Sequence, residues 1–454
     1  MFKLRISKYS CAAMLIFSVP SFGATQTLND SLRNAYQNSG LLVQNRALLR
    51  AADEKVAGSA AALRPIIKWS STYSHSTSSN AETNALSAKL SASWLLYDFG
   101  KSKLNIQAQK ETVLATRQLL ISIEQAILLR TVKAHMKYRS AIEFVTLRSA
   151  NVELIEQELR AAQDRFEVGE VTRTDVALAE ARLASARAGF ASAEGDLAKA
   201  AAEFQAVVGR KPGNLKTPSG LPDLPDNVDA AIEQARLHHP ALKRIQHLVS
   251  AAELNVKIAQ SSNRFTVNGG ANLADTNSTS NVSRNFNLTV GGPIYSGGAI
   301  ASTSRAAIAQ RDAKRAELHI GLLDIDQEVR NSFVLFDVAR ASGKAIDRQI
   351  EAASVAFRGV REEAALGART TLDVLNAEQE LLDARVTRIS TSIDEQIAAY
   401  TILASMGKLT AVSLELGVKT YDPTEYYNLV KTAPIAKSKE GKALDRVLKG
   451  LVGN

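Results

Sequence analysis

The sequence predicts a mainly α-helical, internally duplicated chain whose four strands contribute to a transmembrane β-barrel. Three observations support this fold class. Proline and glycine are sparse over long stretches rich in alanine, leucine, glutamate and arginine, which is typical of long packed helices. Four segments of about ten residues alternate between apolar and polar side chains, as strands between lipid and water do. Motifs of the first half also return in the second half at a constant spacing.

Residues 1–23 have the features of a secretory signal peptide. A basic start precedes a short apolar stretch over 11–20, and small residues stand at the two positions that a signal peptidase reads before the expected cleavage after Gly23. About ten apolar residues are too few for a retained membrane helix, and the alternative interpretation is a buried N-terminal helix. The only cysteine, Cys11, lies in this leader, so disulfides, thiol catalysis and cysteine-based metal sites are not expected.

The charge of the chain is moderate once the leader is set aside. The formal charge is +9, and subtracting the three basic residues of the leader (9 − 3) gives +6; these residues are Lys3, Arg5 and Lys8. No basic block is dense enough to indicate nucleic-acid binding, so a solvated surface is expected. No later segment approaches eighteen consecutive apolar residues, and no transmembrane helix is expected. Any membrane part must therefore be built from strands.

An internal duplication organises the mature chain. Residues 169–176 (GEVTRTDV) match residues 367–374 (GARTTLDV) at an offset of 198, and the same offset relates 97–100 (YDFG) to 295–298 (YSGG). Four prolines crowd into the sequence between the halves, which indicates a linker. We predict a first repeat over 24–211, a linker over 212–226, a second repeat over 227–408 and a partly flexible tail over 409–454.

Each repeat is predicted to run through one helix, two strands, a long helix, a turn and a final helix. The alternating apolar positions of the strands are Ile67, Trp69 and Tyr73; Leu86, Leu90, Trp94 and Leu96; Val267, Ala271 and Leu273; and Phe286, Leu288, Val290 and Ile294. Four strands cannot close a barrel, and an open strand edge is not tolerated in lipid. The pattern therefore demands oligomerisation, and three copies would supply twelve strands around a water-filled lumen. The alternative is a soluble sheet with one face buried on helices.

A very long helix is predicted after each strand pair. Residues 100–166 contain no proline and no interior glycine, and their apolar residues recur in steps of three, four or seven. At 1.5 Å per residue such a helix would run about 100 Å. Its counterpart covers about 299–366, and in each repeat a glycine turn and a second helix follow. Thr172-x-x-Asp175 and Thr370-x-x-Asp373 predict capping boxes at the start of those second helices.

The duplicated turns, together with the strand exits at 97–100 and 295–298, resemble the TolC family of outer-membrane efflux and secretion channels. The resemblance covers about residues 26–410. It implies a homotrimer with a twelve-strand barrel in the lipid of the outer membrane and a long α-helical tunnel in the periplasm. The implied partners are a periplasmic adaptor protein and, through it, an inner-membrane transporter of the ABC or proton-driven type.

The resemblance also implies roles for residues of the two turns. Asp373 would line the entrance constriction, and Arg369 and Asp175 would take part in links that hold it closed. Three copies of an aspartate at a narrow entrance would attract cations. Where the family pattern has a second acidic ring, this sequence has Asn376, so we expect a weaker acidic gate. The implied adaptor-docking residues are Gly169, Glu170, Val171, Gly367 and Ala368.

The tail resembles that of family members that serve type I protein secretion, through residues 421–427 (YDPTEYY). We therefore expect an exit duct for exported protein, with drug or small-molecule efflux as the alternative. A soluble periplasmic coiled-coil scaffold is a third possibility. Catalysis, a metal and a cofactor are not expected, because the six histidines form no zinc motif and no nucleophile elbow, phosphate loop or dinucleotide fingerprint is present.

Overall fold

The computed structural model describes residues 25–78, 81–218, 220–277 and 282–452. The signal peptide predicted over 1–23 and its cleavage site lie outside these residues. Parts of the two links between paired strands lie outside them as well.

The described chain runs through the same order of elements twice. The first pass comprises α1 (Leu28–Asn38), α2 (Gly40–Ala61), β1 (Ile66–Ser78), β2 (Ala81–Tyr97), α3 (Lys101–Glu167) and α4 (Arg173–Val208). The second comprises α5 (Val228–His238), α6 (Pro240–Gln260), a 3-10 turn (Ser261–Asn263), β3 (Thr266–Thr276), β4 (Ser283–Gly291), α7 (Ala299–Ala365) and α8 (Thr371–Ser405). The tail carries α9 (Pro423–Val430) and α10 (Lys439–Val452).

The two long helices have the same length. Both α3 and α7 contain 67 residues, which corresponds to about 100 Å each. Their partners α4 and α8 contain 36 and 35 residues and return along them as antiparallel hairpins. The long helices predicted from proline spacing and periodicity are confirmed to within a residue or two at each end.

The single helix predicted before each strand pair is in fact two helices. In the first pass Ser39 has an extended backbone, and its side chain accepts the N–H of Leu42 as the N-cap of α2. In the second pass Pro240 is the first residue of α6, and a proline cannot donate the N–H that would continue α5. Neither break was predicted from the sequence.

The four strands form one antiparallel sheet in the order β1-β2-β3-β4. The strand register places the apolar residues of neighbouring strands opposite one another. Trp69 lies opposite Leu90, and Leu90 lies opposite Leu273. Ala271 lies opposite Phe286. One face is therefore apolar, and the other carries mainly Ser, Thr, Asn and Lys. On the apolar face Trp69 is 80% exposed and Phe286 83% exposed, so no helix of the described chain covers it. The alternative of a soluble sheet buried on helices is wrong.

Strand β4 ends earlier than the alternation predicted. It stops at Gly291, and Ile294 lies beyond it. Gly292 packs so tightly on the backbone of Phe265 that a Cβ there would lie 2.8 Å from the Phe265 Cα. Pro293 then lacks the N–H that a further ladder bond would need.

Two apolar cores hold the helices together at mid-length. The first joins α1, α2, α3 and the start of the tail through Leu32, Leu49, Leu128, Val132 and Leu409. The second joins α5, α6, α7 and α8 and includes Leu242, Val329, Ile402 and Met406. Burying each of these large side chains stabilises the fold by about 1.5–3 kcal/mol.

One described helix, α3, is long and apolar enough to pass for a membrane span. It contains an 18-residue stretch with a mean hydropathy of 1.3, although its apolar residues are interrupted by polar ones. Leu120, Ile127 and Leu128 of this helix are buried in the first core. Only 28% of the stretch is buried within one chain, so packing inside the protomer accounts for part of its apolar residues.

The linker and the tail are more ordered than the sequence indicated. Around 212–226, Leu215 is buried, and the Gln26 N–H donates to the Asn214 carbonyl at 3.0 Å. In the tail, the buried Tyr426 of α9 donates its hydroxyl to Glu54 of α2 at 2.7 Å, and α10 packs beside it. No helix was predicted in this tail; the boundaries of the repeats, linker and tail stay predictions.

Candidate functional site

The two helical hairpins end at turns with the same backbone. Gly169 follows α3 with φ 79°, and Gly367 follows α7 with φ 77°, a left-handed conformation that glycine adopts without steric cost. In both turns the residue after the glycine donates its N–H to a carbonyl five residues earlier, at 2.9 Å. These pairs are Glu170 to Arg165 and Ala368 to Glu363.

The predicted docking residues lie at these tips. Gly169, Glu170, Gly367 and Ala368 are exposed, and Val171 is half-buried. An exposed apolar side chain, which was not predicted from the sequence, precedes each glycine. Val168 is 71% exposed and Leu366 is 87% exposed. Their signal was the offset of 198, which aligns them with each other as it aligns the glycines. An adaptor role for the tips stays a prediction.

Both predicted capping boxes are confirmed. In the second turn the Asp373 carboxylate accepts from the Thr370 N–H at 3.0 Å and from the Thr370 hydroxyl at 2.8 Å. The Asp373 N–H donates back to the Thr370 hydroxyl oxygen at 3.2 Å. Thr172 and Asp175 repeat the arrangement in the first turn, with carboxylate contacts of 2.9 and 2.7 Å.

Asp373 is held ionised by its neighbours. The hydrogen bonds from Thr370 lower the pKa of Asp373, and the nearby positive charge of Arg369 lowers it further. The carboxylate is thus both a helix cap and a fixed negative charge close to the tip. Lining of an entrance by Asp373 stays a prediction.

Within one chain, Arg369 and Asp175 do not pair with each other. The Arg369 Nε donates to Glu363 at 2.8 Å, and this hydrogen bond raises the pKa of Arg369. The Asp175 carboxylate is engaged by Thr172. The predicted closing links would therefore have to form between protomers.

Asn376 joins the two hairpins. Its side-chain oxygen accepts from the Arg182 guanidinium of α4 at 3.3 Å, which ties α8 to the hairpin of the first repeat. Arg361 of α7 contacts Glu158 of α3 at 3.1 Å and makes a second tie. Neither arginine was singled out from the sequence, because its partner lies far away along the chain.

A buried carboxyl group lies between these ties. Glu378 is 3% exposed, and neither of its carboxylate oxygens has a hydrogen-bond partner in the described part of the chain. Burial raises the pKa of Glu378 to about 7, as does the charge of Glu158, while Arg182 and Arg361 act in the opposite direction. Its signal in the sequence was that Glu378 stands three residues after Leu375 and four before Leu382, a spacing that places it on the same buried face of α8.

Apolar packing supports the same contact. Leu375 of α8 is buried against Ile155 of α3 and Leu183 of α4. Val374 lies in a separate cluster with Phe357 of α7, beside Leu154 of α3. The hairpins can therefore separate only if the two ties break and these leucines lose their contacts.

The tip offers ionic and apolar surfaces. Among residues 25–78, 81–218, 220–277 and 282–452, no group of three or more His, Cys, Asp or Glu side chains could hold a metal ion. What the arrangement can do is bind a partner at its exposed tips and shift one hairpin against the other.

Comparison with known proteins identifies the family. The model of the family described as "Outer membrane efflux protein" matches residues 31–210 and 231–408. Outer membrane efflux protein BepC of Brucella suis biovar 1 (strain 1330) is 32% identical over 90% of this chain and 91% of its own. Outer membrane protein TolC of Salmonella enteritidis is 24% identical over 86% of this chain and 84% of its own.

Further similarities concern secretion and fold. The proteases secretion protein PrtF of Dickeya chrysanthemi is 28% identical over 58% of this chain and 60% of its own. The crystal structure of the Campylobacter jejuni CmeC outer membrane channel has the same fold, with a TM-score of 0.76 at 14% identity over 94% of this chain and 97% of that one. The predicted location, an outer-membrane sheet with a periplasmic helical part, is confirmed. The chain belongs to the outer membrane efflux protein family and is a TolC-family outer-membrane channel.

Proposed function

We propose that this channel is the exit duct of a tripartite type I secretion system and passes exported protein across the periplasm and outer membrane. Three copies assemble into one duct, a periplasmic adaptor binds the hairpin tips, and an inner-membrane transporter drives export. The chain itself carries out no catalysis, because a duct needs a passage and a gate but no reacting group.

The observation that carries the secretion assignment is the tail segment 421–427. It resembles the tails of secretion members of the family, and it is built into the body of the protein. Arg117 of α3 donates to the Pro423 carbonyl at 3.3 Å, and its guanidinium lies 5.3 Å from the centre of the Tyr427 ring. The similarity to a relative named for protease secretion supports the same assignment.

Trimer assembly is supported by the sheet. Its edges, β1 and β4, have no partner strand within the described chain, and its apolar face is exposed. An open edge in lipid leaves backbone N–H and C=O groups unpaired. Pairing β4 of one protomer with β1 of the next removes that cost and closes the barrel.

The gate is proposed at the hairpin tips. Asp373 supplies the fixed negative charge of the entrance, and Arg369 and Asp175 make the links to neighbouring protomers that hold it closed. Asn376 contributes no charge there. Opening moves α7 and α8 away from α3 and α4, which breaks the Arg182–Asn376 and Arg361–Glu158 contacts.

Efflux of small molecules is the second candidate. It is favoured by the 32% identity, over nearly the full chain, to a relative named as an efflux protein. The soluble periplasmic scaffold is set aside, because the family is one of outer-membrane proteins.

Deleting the gene and restoring it on a plasmid separates the two candidates. If the channel exports protein, one or more proteins should disappear from the culture medium on deletion and return on restoration, while susceptibility to drugs stays unchanged. Raised drug susceptibility with normal protein export would overturn the secretion assignment in favour of efflux.

Purified protein in a planar bilayer tests whether the chain forms a channel. The assembled protein should give discrete steps of current.

A further inference from the structure

One residue where the sheet joins the long helices has a backbone conformation that its side-chain type disfavours. Phe99 has φ 54°, in the left-handed region where the Cβ of a bulky residue is crowded by the backbone. The equivalent position of the second repeat, 198 residues later, is Gly297 with φ 58°. The turn is needed in both repeats, and glycine makes it without strain. The strain at Phe99 therefore indicates that its ring has a role.

The Phe99 ring lies in an aromatic cluster below the apolar face of the sheet. Its centre is 4.7 Å from that of the Tyr97 ring and 4.8 Å from that of the Phe265 ring. Tyr97 pairs with Val267, which belongs to the apolar face, and both Tyr97 and Phe265 are about half exposed. Aromatic side chains gather where lipid tails meet headgroups. Because the helices are periplasmic, this cluster lies at the periplasmic leaflet.

Two cations flank the cluster. The Arg264 guanidinium carbon lies 5.2 Å from the centre of the Phe99 ring, and its side chain is exposed. The Lys101 Nζ donates to the Ser262 hydroxyl at 3.2 Å. Within the described ranges, neither cation has a carboxylate at ion-pair distance. Arg264 therefore faces the headgroup region without an ion-pair partner, and Lys101 has only the longer-range attraction of Asp98.

The acidic side chain of this junction, Asp98, caps the long helix α3. Asp98 accepts from the Gly100 N–H at 3.0 Å and from the Ser102 N–H at 2.7 Å, and thereby caps α3. Burial acts to raise the pKa of Asp98, but these hydrogen bonds and the charge of Lys101 together lower it below its usual value. The carboxylate is held at the start of α3 by these backbone donors, and it makes no ion pair with Arg264 or Lys101 among the described residues.

The junction as a whole is strongly basic. The segments 60–68, 95–106, 255–267 and 291–306 contain seven Lys or Arg residues and the single acidic residue Asp98. The basic residues are Arg64, Lys68, Lys101, Lys103, Lys257, Arg264 and Arg305. Further along the helices cations pair with carboxylates, as Arg315 does with Glu253 at 2.6 Å. The unbalanced charge is therefore concentrated next to the membrane.

We infer that Phe99, Arg264 and Lys101 form a binding site for the headgroup of an anionic phospholipid in the periplasmic leaflet of the outer membrane. The phosphate accepts from the guanidinium and the ammonium group. The acyl chains lie over Phe265 and the apolar face of the sheet. A zwitterionic choline headgroup brings a cation of its own to this basic region and binds less well. The inference rests on the outer-membrane location and is independent of the cargo.

The duplication makes the site one per protomer. The second repeat has Gly297 in place of Phe99 and Ala299 in place of Lys101, and Pro65 stands where the first site has Phe265. The corresponding position at the other junction therefore lacks both rings and one cation. Phe99→Gly copies the second repeat and should fold, because the backbone conformation there already suits glycine.

The test uses the full-length channel in nanodiscs of phosphatidylcholine alone or of equal parts phosphatidylcholine and phosphatidylglycerol, with retained lipids counted by native mass spectrometry. Wild-type protein should retain phosphatidylglycerol in preference, and Arg264→Gln or Phe99→Gly should weaken that preference about fivefold. Arg264→Lys keeps the charge and should keep most of the preference. Lys103→Gln is the control, because it removes a cation from the same turn of α3 but not from the aromatic cluster.

Three results would overturn the inference. The first is wild-type protein with no preference for phosphatidylglycerol. The second is an equal loss in Lys103→Gln, which would indicate diffuse charge rather than a site. The third is displacement of the lipid by millimolar inorganic phosphate, which would indicate a site for a free anion. Should Phe99→Gly not assemble, the comparison of Arg264→Gln with Arg264→Lys decides alone.

Discussion

Glu378 is a carboxyl group that the fold buries without a hydrogen-bond partner among the described residues. Burying an ionised carboxylate is costly unless it is paired, and such groups respond by binding a proton. Glu378 has a pKa raised to about 7, so its charge changes near neutral pH at the contact between the two hairpins. Arg182 and Arg361 lie close enough to lower the pKa of Glu378, which makes this contact sensitive to its ionisation.

Stability should consequently depend on pH through Glu378. Between its ordinary pKa of 4.5 and the folded value of about 7, the native chain binds a proton that the unfolded chain has lost. The contribution of Glu378 to the free energy of unfolding is therefore greatest below pH 4.5, and it is lost as the pH rises through 7. Glu378→Gln should remove that loss and raise the free energy of unfolding at pH 8 by on the order of 2 kcal/mol. Denaturant titrations at pH 4 to 8 measure it.

Asp53 provides a matched control for this prediction. It is also fully buried, and burial raises its pKa to about 6, but it lies on α2 far from the tips. Asp53→Asn should remove a pH dependence between 3.8 and 6 and leave the higher part of the window unchanged. If Glu378→Gln retained the wild-type slope between pH 6 and 7, Glu378 would not be the group responsible.

Asp373 combines a capping role with a charge, and the two can be separated. Asp373→Asn keeps an oxygen that can accept from Thr370 but removes the negative charge, whereas Asp373→Ala removes both. Block of the channel by multivalent cations should fall in both variants. Only Asp373→Ala should also lose the carboxylate half of the capping box, at about 1 kcal/mol, because Thr370 still accepts the backbone N–H of residue 373. Unchanged block in a planar bilayer would remove Asp373 from the gate.

At the scale of elements, the hairpins depend on two glycine turns. Gly367 has φ 77°, so Gly367→Val should cost about 1–2 kcal/mol and loosen the tip. Gly359→Ala in α7 is the control, because a Cβ there meets open space and the change should stabilise the helix by about 1 kcal/mol. Thermal unfolding of both variants measures this. Equal melting temperatures would mean that the turn is not under steric control.

Much of each hairpin could be predicted from residues that are close in sequence. Proline spacing gave the lengths of α3 and α7, and Thr370 with Asp373 gave the cap. The breaks at Ser39 and His239 were missed, because the apolar pattern continues across them. The contact of Arg361 with Glu158 could not be predicted from one sequence, since these residues become neighbours only when the two hairpins pack.

At the scale of the whole molecule, the sheet divides two environments. Phe286 belongs to the exposed apolar face and its neighbour Asn287 to the polar face. Phe286→Lys should place a charge in lipid at about 2–4 kcal/mol per copy and prevent assembly in the outer membrane. Asn287→Lys should assemble normally and change only the charge of the lumen. Heat-sensitive oligomers on gels would report assembly, and normal assembly of both variants would contradict the assigned faces.

The equal length of α3 and α7 also limits how this protein can evolve. A residue inserted into one helix would lengthen its hairpin by about 1.5 Å and turn every later side chain by about 100° relative to the other. A heritable change in tunnel depth should therefore occur in pairs, one in each repeat, or in steps of seven residues that restore the packing face. The duplication thus requires the two long helices to keep the same length.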